Sequence, residues 1–127
     1  MRPDPHLQPL FYAYVDAWQR FDEPALVACF SDEATFIDPY PSTPNIGKAG
    51  VSNVFARIEA TVAALRFEVG RSILCGDRGI FPFELLATLR TDGITQRIRA
   101  TDVVIVKDGL IHELVGYGDF AGATVEP

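Results

Sequence analysis

A chain of 127 residues, 48% hydrophobic and 22% charged, has the length of one domain and enough apolar material for a packed core. These figures exclude two independent catalytic domains, and they exclude disorder as the main state. Eleven Lys and Arg against 17 Asp and Glu give a formal charge of −6, which repels phosphate backbones and speaks against a nucleic-acid partner. The opening Met1 to His6 lacks the apolar stretch of a secretory leader, and no apolar run approaches the ~20 residues that cross a bilayer. A soluble, cytoplasmic protein with no membrane contact is the expectation. Cys29 and Cys75 lie in apolar surroundings without CxxC spacing or a neighbouring His, and both read as small core residues.

Leu7, Leu10, Phe11, Tyr14, Trp18 and Phe21 recur at three- and four-residue steps, which predicts a first helix over roughly 6 to 20 with one face on a core. Asp22 can cap a second, short helix whose first turn accepts Pro24 and whose apolar side is Leu26, Cys29 and Phe30. Ala34 to Asp38 reads as a short strand that Pro39 stops, with Phe36 and Asp38 on one face. The Pro-rich passage from Pro39 to Pro44 is a loop within the domain, not a linker. Val51, Val54, Phe55, Ile58 and Val62 predict a third helix from Gly47 to about Val62.

The period then changes to two. Phe67 to Cys75, Ile80 to Arg90, Ile94 to Val106 and Leu110 to Tyr117 read as strands, and Asp92-Gly93 and Asp108-Gly109 carry hairpin signals. Helices followed by an antiparallel meander make an α+β domain over 1–127, with the helices covering one face of a curved sheet and room for a pocket between them.

In the strand up to Val106, Ile98, Ala100, Asp102, Val104 and Val106 share a face, so one carboxyl interrupts an apolar surface. A two-residue turn at Asp92-Gly93 would set Phe83 opposite Asp102, Leu85 opposite Ala100 and Ala87 opposite Ile98. Desolvated in this way, Asp102 would be a neutral acid near pH 7 and able to donate a hydrogen bond. An alternative is an Asp that is salt-bridged or turned outward by a bulge. Tyr14 sits on the buried stripe with a phenol that needs a partner, although aromatic stripes are mostly packing. Asp38 precedes Pro39, where Asp is often only a turn initiator. His6 and His112 have no nucleophile or metal-ligand motif beside them, and no glycine pattern indicates a nucleotide cofactor. Arg71, Arg90, Arg97 and Arg99 read as salt-bridge partners on the outer sheet face.

Taken together, Tyr14, Asp38 and Asp102 resemble the catalytic set of the delta-5-3-ketosteroid isomerases, within the nuclear-transport-factor-2-like (SnoaL-like) superfamily. Ala13-Tyr14-Val15, the run from Phe30 through Thr35 into Asp38-Pro39, the loop from Ser42 to Gly47, and Ala100-Thr101-Asp102 carry the likeness across nearly the whole chain. The resemblance implies a cone-like fold of three N-terminal helices on a curved, mostly antiparallel sheet, assembled as a homodimer. It also implies Asp38 as general base, with Tyr14 and neutral Asp102 donating to a dienolate oxygen, in a mechanism needing no metal or organic cofactor. The sequence departs from the family at Phe55, where the isomerases carry a tyrosine bonded to the catalytic phenol.

The pocket wall is expected from Trp18, Phe55, Phe83, Leu85, Ala100 and Val104, suited to a flat, steroid-like hydrophobic ketone. Two rival readings stay open. One is a SnoaL-like polyketide cyclase that closes a ring by aldol chemistry; the other is a non-catalytic module that holds an apolar ligand or a partner protein.

Overall fold

The structure is a computed structural model and describes residues 2–127; Met1, part of the leader reading, lies outside the described residues. Helix α1 spans Leu7–Gln19 and turns Leu7, Phe11, Tyr14 and Trp18 into the core, which is the stripe that the spacing predicts. Helix α2 spans Glu23–Ala28, capped by Asp22, whose side chain accepts from the Ala25 amide at 3.1 Å. Strand β1, Phe30–Ile37, begins earlier than the predicted Ala34. Its polar stretch Ser31-Asp32-Glu33 hides the start, because the register shifts there while Phe30 and Ala34 both remain buried. The two-residue strand β2, Asn45–Ile46, leads into α3, Gly47–Thr61.

The expected strand from Phe67 to Cys75 is instead two strands. β3 runs over Val62–Val69 straight out of α3, and β4 covers only Ile73–Cys75. The chain breaks between them, where the Gly70 amide bonds to the Pro82 carbonyl at 2.8 Å. Cys75 is exposed on that short strand and not a core residue, whereas Cys29 is buried. The remaining strands are β5, Arg78–Leu89; β6, Thr95–Lys107; β7, Leu110–Gly118; and β8, Thr124–Val125.

The sheet order is β2-β1-β7-β6-β5-β3, with β4 beside β5 and β8 beside β6. All pairings are antiparallel except β1 with β7. Three helices pack against this open, curved sheet. No helix among the described residues is long and apolar enough to cross a membrane.

Both hairpins differ in register from the pairing that simple two-residue turns at Asp92-Gly93 and Asp108-Gly109 would set, the second of which would place Glu113 opposite Val104. Between β5 and β6 the loop is longer than two residues: the Gly93 amide bonds to the Leu89 carbonyl, and the Asp92 side chain accepts from the Ile94 amide. Thr88 therefore pairs with Thr95, which moves every partner by two and keeps every face. Asp102 stands opposite Phe81, Ala100 opposite Phe83, and Ile98 opposite Leu85. Asp108 and Gly109 do make the tight turn, at φ +53° and +75°, and Lys107 pairs with Leu110. A bulge then intervenes between Val106 and Ile105, which sets Leu114, not Glu113, opposite Val104.

Candidate active site

Asp102 is 4% exposed and is the one charged residue buried in the core among the described residues. Its place follows from strand parity. Ile98, Ala100 and Asp102 face inward toward the helices, and Phe81, its cross-strand partner, stacks on Phe11 of α1 with centroids 4.1 Å apart and planes 7° from parallel. Oδ2 of Asp102 is buried and has no hydrogen-bond partner among the described residues. The carboxyl is thus neither salt-bridged nor turned outward.

Asp38 follows the last residue of β1 and remains partly exposed. Parallel pairing of Ile37 with Val115 brings it beside Gly116 of β7, and antiparallel pairing of β7 with β6 puts Asp102 directly opposite that same glycine. A Cβ added at Gly116 would lie 2.7 Å from Asp38 Oδ1 and 3.0 Å from Asp102 Oδ1. The two carboxyls therefore converge over a backbone position that only glycine leaves open. The Gly116 carbonyl also accepts from the Tyr40 amide at 2.7 Å, which anchors the loop that follows Asp38. Sequence reading passed over Gly116, although a glycine within a strand is itself a signal of close approach.

Tyr14 is 2% exposed and completes the group from the helical side. Its ring lies edge-on to Trp18, Phe30 and Phe36, with centroids 6.1 to 6.4 Å away. Tyr14, Asp38, Asp102 and Gly116 all line one cavity of about 270 Å³. Of the expected wall residues, Trp18, Phe83, Leu85 and Ala100 line it as well. Phe55 and Val104 do not; they are core residues behind it. Phe55 stacks on Trp18 at 5.6 Å. Val104 pairs with Gly79, and Leu7 of α1 closes over that part of the sheet, where its Cδ2 would meet a Cβ at Gly79 at 3.3 Å. A larger depression of about 550 Å³, lined by Glu68, Glu84, Arg99 and Asp119 among others, contains none of the three polar residues.

Electrostatics separate the two carboxyls. Burial, followed by the neighbouring charge of Asp38, holds Asp102 well above the ordinary carboxylate range. Burial also pushes Asp38 up, to about 6, but the Arg57 guanidinium pulls it back. Two acids this close do not both ionise readily, and the deeper one keeps the proton. Tyr14 is held well above its usual value by burial and then by the Asp102 and Asp38 charges, so it too is protonated near neutral pH. The site offers one ionisable base beside two neutral O–H donors, in apolar surroundings that strengthen each interaction.

Comparison with known proteins places the fold. Residues 11–114 match the SnoaL-like domain. The chain belongs to that family. No curated protein matches it by sequence. Among solved structures, it resembles the delta-5-3-ketosteroid isomerase from Mycobacterium sp. with a TM-score of 0.79 at 20% identity, covering 95% of this chain and 98% of that one. A candidate SnoaL-like polyketide cyclase from Shewanella denitrificans gives a TM-score of 0.81 at 16% identity, covering 93% of each chain. An LEH-like epoxide hydrolase from Mycobacterium tuberculosis gives 0.78 at 16%, covering 91% of this chain and 84% of that one. Likeness at these identities shows a shared fold, on which the neighbours are named for three different chemistries.

Proposed function

We propose that this SnoaL-like protein is an isomerase that moves a carbon–carbon double bond into conjugation with a ketone. The observation that carries this reading is the buried Asp102, unpartnered at Oδ2, converging with Asp38 over Gly116 in the cavity that Tyr14 lines. The Asp38 carboxylate removes the proton between the carbonyl and the β,γ double bond, and the electron pair delocalises into a dienolate. Asp38 then returns the proton to the γ carbon, so no other reactant is consumed. Tyr14 and protonated Asp102 donate to the dienolate oxygen, whose charge grows only as the proton leaves, and this preference for the transition state is what accelerates the reaction. The arrangement matches a pattern known for isomerases of this type, a carboxylate base beside a tyrosine and a protonated aspartic acid.

Mixing the purified protein with 5-androstene-3,17-dione tests the proposal. The expected result is growth of conjugated-enone ultraviolet absorbance, nearly abolished in Asp38→Asn. No absorbance change with the unmodified protein overturns it. Ring closure of a poly-β-ketone in place of double-bond migration identifies a cyclase, and ligand binding indifferent to Asp38→Asn, without turnover, identifies a binding module.

A further inference from the structure

The inner face of β5 and β6 is a ladder of rungs, Phe81 with Asp102, Phe83 with Ala100, Leu85 with Ile98, and Ala87 with Gln96, and all of these residues except Phe81 line the cavity. Polarity falls at its two ends. Three rungs of roughly 6.7 Å put the Asp102 and Gln96 backbones about 20 Å apart. The side chains stand across the strand direction, so allowing for two hydrogen bonds of roughly 2.8 Å leaves on the order of 10 to 15 Å between two ligand oxygens. Gln96 lines the same cavity as Asp102, is half-buried, and its amide takes part in none of the side-chain hydrogen bonds formed among the described residues. Among the described residues no Lys, Arg or His lines the cavity, and two carboxyls do. An anionic group at the far end therefore has no cation to meet, whereas an amide offers both a donor and an acceptor to a neutral oxygen.

From these observations we infer that Gln96 is a specificity residue that hydrogen-bonds a second, neutral oxygen, carbonyl or hydroxyl, on the end of the ligand remote from the enolised ketone. The inference rests on the isomerase reading for which end enters first, and it narrows the substrate class to rigid, dioxygenated, otherwise apolar ring systems. A ligand lacking the remote oxygen leaves the amide without that partner, and one hydrogen bond of this kind corresponds to about tenfold in affinity.

The test measures binding, so it does not depend on turnover. Affinities are compared for equilenin, a steroidal phenol with a ring ketone at its far end, and for the analogue in which that ketone is a methylene. The unmodified protein should bind the ketone-bearing phenol about tenfold more tightly, and Gln96→Leu should bring the two within twofold by weakening only the former. Gln96→Asn, which keeps the amide but shortens its reach, should fall between. Equal affinities in the unmodified protein, or a difference that survives Gln96→Leu, overturn the inference. Failure to bind either phenol overturns it together with the proposed function. Preference for the ketone-bearing phenol, lost in Gln96→Leu, in a protein that isomerises no β,γ-unsaturated ketone leaves the inference standing and removes the isomerase reading.

Discussion

Strands β5 and β6 present charged side chains on both faces, and the two faces treat them in opposite ways. On the outer face, Arg97 lies 2.6 Å from Glu68, 3.1 Å from Glu84 and 2.8 Å from Glu126, so one guanidinium ties β3, β5 and the C-terminal segment together in contact with water. On the inner face, Asp102 has no cation and Oδ2 has no partner among the described residues. The outer charges satisfy one another, and exposed pairs of this kind contribute little to stability. The inner carboxyl costs stability wherever it is ionised and takes nothing back from the chain. On the proposed reaction, the dienolate oxygen is the partner that such a group lacks within the chain.

The sharpest way to break this contrast is to remove the inner base. Asp38→Asn should lower kcat for double-bond migration by about 10³-fold, within the range general-base catalysis supplies, while a phenol that mimics the enolate still binds. Steady-state kinetics beside phenol titration check it; turnover close to the unmodified rate would reject the assignment. Asp102 comes next. Asp102→Ala should cost about 10²-fold, as loss of one oxyanion donor does, and Asp102→Asn should cost distinctly less because a neutral amide still donates. If Asn and Ala are equally impaired, Asp102 is not a hydrogen-bond donor.

A third substitution tests whether convergence itself matters. Gly116→Ala inserts a methyl 2.7 Å from one carboxyl oxygen and 3.0 Å from the other, so both must give way. Misplacing reacting groups by a fraction of an ångström should lower kcat by about 10-fold to 10²-fold, with an unfolding transition that stays cooperative. Unchanged kcat would mean that the carboxyls do not work as a pair.

Gly116 also marks how far the sequence could be read. Asp102 was legible because strand parity needs no knowledge of register, and a two-residue error at the Asp92-Gly93 loop left its face unchanged. The aromatic stripe of α1 was legible for the same reason, since a single period places Tyr14. What could not be read were the relations between elements distant in sequence. The parallel pairing of β1 with β7, the bulge that brings Leu114 opposite Val104, and the closure of Leu7 over Gly79 all depend on long-range contacts. Those contacts decide that Val104 and Phe55 are core residues while Gln96 borders the cavity. The parity that made Asp102 visible includes Gln96 as well, but a polar residue toward the end of a strand carries no anomaly until the wall it belongs to is known.

The pH profile gives a smaller and finer test of the inner face. Burial puts Asp38 at about 6, and catalysis needs its ionised form, so kcat/KM should rise as pH passes about 6. The decline belongs to Asp102 or Tyr14, both raised, and should come at higher pH. Arg57 lowers Asp38 through its charge, so Arg57→Gln should move the rising limb upward, by less at high salt, where exposed charges are screened. A limb that moves downward in that variant would show that Arg57 does not act on the base.

The least effect, and the one that sets the two faces directly against each other, is on stability as a function of pH. Asp38 binds its proton more tightly folded than unfolded, so its contribution is complete below the unfolded value of 3.8 and is lost as pH rises to about 6. Glu68 and Glu126 are lowered by Arg97, so theirs is present above the unfolded value of 4.5 and is lost as pH falls through their folded values. The faces therefore tilt the stability curve in opposite directions. Thermal melts of Asp38→Asn should lose part of the decline between pH 4 and 6, the rest belonging to Asp102, which burial also raises, and melts of Arg97→Gln should lose part of the decline on the acid side while kcat stays unchanged. Were both variants to flatten the same limb, the opposition between a satisfied outer face and an unsatisfied inner one would not hold.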